Sequence, residues 1–240
     1  MKLALTVRFG YDEELIFAQQ LGDDAVIVRV DAPDPRDINL SPAAHRVRVA
    51  GLQLAGVELT GLADTFQPWS DGLLRALRAA ASAGVDTLLC ALPSARPATF
   101  ATDLEATVTA ATGTGVTVCL DAARLLPAEL ATLPAGSLCL ELALGLPPTA
   151  AGPSVATDAA TRIQAGGVRS VRFEGEGRPL GDTALDVPGC MVAIARAGYD
   201  GLIRPGAAPL LAQDDDWKPK GAANDLGYLR GVLQALHSVS

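Results

Sequence analysis

The residues most able to do chemistry are charged side chains at or near the ends of short apolar runs. Several carboxylates around one edge of a sheet could bind a hard, oxygen-preferring cation such as Mg²⁺ or Mn²⁺. Arginines at the same edge could hold the carboxylate or phosphate of a ligand through bidentate hydrogen bonds. The candidate catalytic residues are Glu58, Asp121 and Glu141, and the candidate substrate-binding residues are Arg172 and Arg204.

Most of these residues also have an interpretation without chemistry. Asp121 could cap the helix after it, because Asp is common at N-caps. Glu58 and Glu141 could face solvent or pair with Arg172, since charged side chains are mostly exposed or paired. Glu174 follows in a Gly-rich loop, and we expect it to be solvated. Arg204 is the strongest candidate for a ligand contact, because it directly follows the C-terminal end of the last predicted strand.

Short apolar strands alternate with helices about every thirty residues along the chain. Strands are predicted over 3–7, 25–30, 56–60, 86–92, 116–120, 137–142, 168–173 and 201–203. Such alternation implies parallel pairing through right-handed crossovers. Because 240 residues suit eight units of this kind, the sequence predicts one α/β domain over 1–240, a (β/α)8 TIM barrel. The C-terminal ends of its strands would gather the candidate residues.

Composition limits the possible partners. Hydrophobic residues make up 49% of the chain, and the formal net charge is −8. This acidic balance argues against nucleic acid or an anionic membrane surface as a partner. No apolar run approaches the length of a membrane span, and Arg8 interrupts the run that a signal peptide would need. We therefore expect a cytoplasmic protein.

The four cysteines are scattered, with no close pair in the sequence. Cys90, Cys119 and Cys139 lie in apolar, strand-like runs, where cysteine usually behaves as a small buried hydrophobe. We therefore expect no disulfide framework.

A stretch near the C-terminal end of the chain resembles a known enzyme family. The stretch DTALDVPGCMVAIARAGYDGLIRP over 182–205, followed by GYLRGVLQAL over 227–236, looks like the C-terminal end of mannonate dehydratases, which are xylose-isomerase-like barrels. The opening Met-Lys-Leu and the FAQQLG segment over 17–22 are similar to relatives of that family. The resemblance implies dehydration of a sugar acid, mannonate to 2-keto-3-deoxygluconate, with a divalent metal such as manganese. It also suggests a possible homodimer.

The family's metal ligands are mostly replaced in this chain. The family uses two His, a Cys and an Asp at strand ends, and its catalytic His follows the Asp in an Arg-Pro-Asp-His sequence. Here Arg204-Pro205 is followed by Gly206 and Ala207, while Arg172 and Asp121 stand where the two histidines are expected. The resemblance leaves Asp121 and Cys139 as candidate metal ligands.

Two functions remain open at this point. In the first, the barrel is a catalytically degenerate homologue that binds a small sugar or sugar acid at its C-terminal face. In the second, it is an active, metal-dependent sugar-acid dehydratase or sugar isomerase/epimerase with a rebuilt carboxylate site. The missing histidines favour the first. A bound Mn²⁺ or Mg²⁺ and no cofactor at all are equally compatible with the sequence.

Overall fold

Strands and helices alternate along the chain in the computed structural model. It describes residues 1–22, 25–31, 38–61, 69–90, 92, 98–121, 138–145, 154–175, 178–206 and 217–239. The strands are β1 (Lys2–Leu3), β2 (Leu5–Arg8), β3 (Ala25–Asp31), β4 (Gln53–Thr60), β5 (Thr87–Cys90), β6 (Thr117–Asp121), β7 (Leu138–Leu144), β8 (Val168–Phe173) and β9 (Leu202–Pro205). The helices are α1 (Asp12–Gln20), α2 (Ser41–Val49), α3 (Trp69–Ala83), α4 (Phe100–Thr114), α5 (Val155–Gln164), α6 (Val187–Arg196) and α7 (Trp217–Val239).

Helix starts follow the capping signals of the sequence in some places and not in others. Asp186 caps α6, because its carboxylate accepts a hydrogen bond from the backbone N–H of Gly189 at 2.9 Å. The Ser41-Pro42 pair predicts an N-cap at Ser41, but Ser41 is the first residue of α2. Leu40 takes the cap position without a side-chain hydrogen bond. The sequence predicts a loop from Arg204 to Ala222 before the last helix, but this helix already begins at Trp217. The sequence also predicts a short helix over 123–133, which lies outside the described residues.

Contacts divide the chain into two compact units. Unit 1 contains Met1–Thr6 and Leu142–Ser240, and unit 2 contains Val7–Glu141. In unit 1 the strand order is β1-β9-β8-β7, and in unit 2 it is β7-β6-β5-β4-β3-β2. The pairings of β1 with β9, β8 with β9, and β3 through to β7 are parallel, as the alternation predicts.

The core of unit 1 lies on one face of β8 and β9. Val171, Phe173 and Ile203 are fully buried there, in the cluster that also holds Met191 of α6 and Leu229 of α7. Because successive strand residues point to opposite faces, the residues between them, at positions 172 and 204, lie on the other face. The helical core therefore fixes which face of this strand pair carries the polar residues.

A disulfide joins Cys119 to Cys139, so the expectation of no disulfide is wrong for this pair. The two cysteines are register partners on β6 and β7, with their Cα atoms 4.5 Å apart. They are 20 residues apart in sequence and become neighbours only when the two strands pair. Cys90 and Cys190 are free and buried. No helix among the described residues is long and apolar enough to cross a membrane.

Candidate functional site

Arg172 and Arg204 lie side by side at the C-terminal ends of β8 and β9, on the face opposite the core of unit 1. They are register partners in this parallel pair. The side chain of Arg172 is 19% exposed, whereas Arg204 is 2% exposed. The structure therefore brings together the two arginines predicted to bind substrate. We call Thr6, Arg172, Glu174 and Arg204 the arginine face.

Arg204 is held in place by a residue from the start of the chain. Its Nη1 donates a hydrogen bond to Oγ1 of Thr6 at 2.9 Å. Backbone bonds tie the same segments together, since the N–H of Ala4 donates to the carbonyl of Ile203 at 3.0 Å. A buried charge is costly unless it is hydrogen-bonded, so this anchoring makes Arg204 a fixed rather than a mobile cation.

Glu174, which the sequence predicts to be solvated, is part of the arginine face. Nε of Arg172 donates to Oε1 of Glu174, and the Glu174 side chain is 31% exposed rather than fully solvated. The backbone N–H of Glu174 donates to the carbonyl of Leu144 at 2.7 Å, which ties this residue to the end of β7. The signal in the sequence was the two-residue spacing from Arg172, because residues i and i+2 of a strand share a face.

In unit 2, two of the three candidate catalytic carboxylates lie on neighbouring strands. Asp121 of β6 and Glu141 of β7 are register partners, and Glu141 is 4% exposed. Glu58 of β4 is not level with them. It is the register partner of Leu89 on β5, and Leu89 is the partner of Cys119 on β6, which lies two residues before Asp121. The structure therefore pairs Asp121 with Glu141 and places Glu58 two strands from Asp121 and three strands from Glu141.

The described donors do not fit the divalent metal that the resemblance implies. The sulfur of Cys139 is bonded to Cys119 and so is not available as a thiolate ligand. Within the described ranges, no group of three or more His, Cys, Asp or Glu side chains is placed to hold a metal ion. Asp121 and Glu141 alone supply fewer protein ligands than the several oxygens that such cations usually take.

A further carboxylate stands at the end of β3, where sequence reasoning marked only a strand boundary. Oδ1 of Asp31 accepts hydrogen bonds from Oγ1 of Thr60 at 2.6 Å and from Nε of Arg29 at 2.8 Å. The Thr60 hydrogen bond, followed by the Arg29 interactions, outweighs desolvation and lowers the pKa of Asp31 below 3.8. Asp31 therefore adds a negative charge at the C-terminal ends of β3 and β4.

A shallow cavity of about 220 Å³, including its open mouth, lies between β2, β3, α1 and α2. It contains none of the predicted site residues. The guanidinium of Arg8 stacks 3.9 Å from the ring centroid of Tyr11 and pairs with Glu14, and Arg46 pairs with Asp12. Both arginines of this cavity therefore have carboxylate partners.

The chain is similar to solved barrel structures over nearly its full length. A xylose isomerase domain protein from Planctomyces limnophilus is 15% identical with a TM-score of 0.74, covering 99% of this chain and 98% of that one. A D-psicose 3-epimerase from Clostridium cellulolyticum H10, solved with D-tagatose, is 13% identical with a TM-score of 0.72, covering 97% and 99%. A mannonate dehydratase from Streptococcus suis serotype2 is 11% identical with a TM-score of 0.71, covering 98% and 94%.

No protein-family model matches the chain, and no curated protein matches it. The structural similarity confirms the predicted fold class, an α/β (β/α)8 barrel. At 11% to 15% identity these three structures show the fold alone. In TIM-barrel enzymes the active site lies at the C-terminal ends of the strands, which is the end of β8 and β9 that carries the arginine face.

Proposed function

We propose that this protein binds a small sugar acid at the C-terminal ends of β8 and β9, and that it does not turn this ligand over. The observation that carries the proposal is the register pairing of Arg172 with Arg204 on the arginine face. Planar guanidiniums match the geometry of a carboxylate, and Arg204 is already fixed by Thr6. The ligand is thus a small molecule with an anionic end.

The barrels to which this chain is similar support a sugar-like ligand. They include a mannonate dehydratase, a D-psicose 3-epimerase solved with D-tagatose and an L-ribulose 3-epimerase. A sugar acid combines the polyol chain of these compounds with the carboxylate that two arginines favour. A cytoplasmic location and a possible homodimer belong to the same proposal as predictions.

The loss of catalysis is proposed from the replaced residues. Gly206 and Ala207 follow Arg204-Pro205, where the mannonate dehydratase pattern has Asp and His. The described side chains also do not fit a divalent metal. A ligand-binding barrel needs neither group, whereas the dehydratase chemistry implied by the resemblance needs both.

The test is calorimetric titration of the full chain with D-mannonate and D-gluconate, compared with the neutral sugars D-fructose and D-tagatose. We expect the acids to bind more tightly than the neutral sugars. Arg172→Gln and Arg204→Gln should each weaken acid binding by about tenfold or more, because each removes a charged hydrogen bond. Arg169→Gln, which changes an exposed residue of β8, is the matched control and should bind as the wild type does. Acid binding that survives both arginine changes would refute the proposal.

A second candidate is an active sugar isomerase or epimerase, which the pairing of Asp121 with Glu141 favours. Two neighbouring carboxylates can act as proton acceptor and proton donor. The test is product chromatography after incubation with D-fructose, D-tagatose or D-mannonate, with and without Mn²⁺ or Mg²⁺. Turnover that is lost in Asp121→Asn, Glu141→Gln or Glu58→Gln, but kept in the exposed control Glu105→Gln, would favour the enzyme. No turnover under any of these conditions would favour the binding protein.

A further inference from the structure

Glu174 occupies the space that a side chain at position 206 would need. Phe173 and Pro205 are register partners, and Glu174 and Gly206 follow directly after the ends of these two strands. A Cβ atom built on Gly206 would lie 2.8 Å from Cδ of Glu174 and 3.0 Å from the carbonyl oxygen of Phe173, and still closer to Oε2 of Glu174. Carbon atoms that are not bonded make their best contacts at about 3.5–4.0 Å, so residue 206 can carry a side chain only if Glu174 moves.

The backbone holds this arrangement together. The N–H of Gly206 donates to the carbonyl of Phe173 at 2.6 Å, and the N–H of Glu174 donates to the carbonyl of Leu144 at 2.7 Å. Position 206 therefore remains against the end of β8, and Glu174 remains against the end of β7. A side chain at position 206 would therefore meet the end of the Glu174 side chain first.

The carboxylate of Glu174 is anchored through one oxygen. Oε1 accepts from Nε of Arg172, while Oε2 lies over Gly206. The Glu174 side chain is 31% exposed, so its carboxylate can be reached from solvent. A carboxylate oxygen is an acceptor with two lone pairs, which suits it to a hydroxyl group of a ligand.

We propose that Glu174 is the specificity-determining residue of the arginine face, and that its carboxylate accepts a hydrogen bond from a hydroxyl of the bound acid. This inference rests on the proposed sugar-acid function. The arginine face carries two guanidiniums and one carboxylate, so it still attracts an anion, while Glu174 adds an acceptor for the polyol part. A site built to hydrogen-bond a hydroxyl discriminates strongly against the analogue that lacks it. Glu174 therefore separates hydroxylated acids from simple fatty acids.

The test compares the affinity of D-gluconate with that of hexanoate, which has the same number of carbons and lacks the hydroxyls. In Glu174→Gln the affinity for gluconate should fall about tenfold, because a charged acceptor is lost. The affinity for hexanoate should stay within about twofold, since its carboxylate contacts only the arginines. Asp200→Asn, an exposed acidic residue before β9, is the control and should change neither affinity.

A merely structural role for Glu174 predicts another result. If Glu174 only orients Arg172, both affinities fall together in Glu174→Gln, and the inference is overturned. Unchanged binding of gluconate overturns it as well. If the wild type binds neither acid, the proposed function fails and this inference fails with it. If the wild type binds gluconate and Glu174→Gln binds it equally well, only this inference fails and the proposed function stands.

Moving the carboxylate to the other strand gives an independent check. Glu174→Ala should lose the preference for gluconate over hexanoate, and the double variant Glu174→Ala/Gly206→Asp should regain part of it, because the new carboxylate projects into the same space. Gly206→Asp alone should weaken gluconate binding, since two carboxylates would then compete for one position. A double variant that discriminates no better than Glu174→Ala would contradict the assigned role of this position.

Discussion

Asp225 of α7 is a buried carboxylate that makes stability depend on pH. It is 3% exposed and accepts a hydrogen bond from the backbone N–H of Leu180 at 2.7 Å. Burial is the largest influence and raises the pKa of Asp225 above 3.8; the nearby Asp182 adds to the rise, and the Leu180 hydrogen bond opposes it. The folded state therefore binds this proton more tightly than the unfolded state does.

We predict that Asp225→Asn removes part of the pH dependence of folding. The pKa of Asp225 is higher in the folded state than in the unfolded state, where it is near 3.8. The free energy of unfolding therefore falls as the pH rises from the unfolded pKa through the folded pKa. Asn keeps an acceptor for Leu180 but cannot ionise, so the variant should gain stability relative to wild type between pH 4 and pH 7. Urea unfolding at both pH values measures this. A difference between variant and wild type that is the same at both pH values would contradict the prediction, and Asp200→Asn serves as the exposed control.

At the residue scale, the sequence predicts the placement of the two arginines at one edge of the sheet, while their role in ligand binding remains a prediction. Arg172 and Arg204 were predictable because each stands at the end of an apolar strand, and parallel strands end at the same edge. The spacing of two residues from Arg172 indicates that Glu174 lies on the same face, but its contact with position 206 depends on the register of β8 with β9. Nothing local in the sequence states that register. The assignments of Glu58, Asp121 and Glu141 as catalytic groups remain predictions.

At the element scale, local signals carried the assignment of strands and helices. The Asp186 cap was readable because the carboxylate and the N–H that it accepts from are three residues apart. The Cys119–Cys139 bond was not readable, because its partners meet only through the pairing of β6 with β7. Contacts that form only when distant strands pair, such as this disulfide, therefore cannot be predicted from local sequence.

We predict that this disulfide stabilises the fold and can be counted by thiol labelling. Unfolded without reductant, the chain should bind maleimide at two thiols, Cys90 and Cys190, and after reduction at all four cysteines. In the folded protein these two thiols should not react near neutral pH, because burial raises the pKa of Cys190 to about 11 and that of Cys90 further. Closing a loop of this length is worth about 3 kcal/mol, so reduction should lower the free energy of unfolding by roughly that amount.

Matched variants separate the two kinds of cysteine. The stability difference between oxidised and reduced protein should persist in Cys90→Ala/Cys190→Ala and vanish in Cys119→Ala/Cys139→Ala. Labelling at all four cysteines without reductant would show that the disulfide is absent. Because a stable disulfide is uncommon in a reducing cytosol, the same count also bears on the predicted cytoplasmic location.

At the scale of the whole molecule, chain length and alternation were enough for the fold class. Repeated strand-helix steps restrict the topology to parallel pairing, and the similarity to xylose-isomerase-like barrels confirms that inference.

The number of domains is a separate matter. The boundaries of the two compact units fall between Thr6 and Val7 and between Glu141 and Leu142, which are positions inside β2 and β7 rather than in linkers.

We predict from those boundaries that residues 1–240 unfold as one domain, because a strand that continues across a boundary has to be broken if one unit unfolds alone. The two tryptophans allow a direct test, since Trp69 belongs to unit 2 and Trp217 to unit 1. In Trp217→Phe and Trp69→Phe the remaining fluorescence follows one unit at a time during urea unfolding. The two midpoints should coincide, as two-state behaviour requires. Reducing the disulfide of unit 2 should then lower both midpoints together, whereas a shift confined to Trp69 would mean that the chain contains two domains.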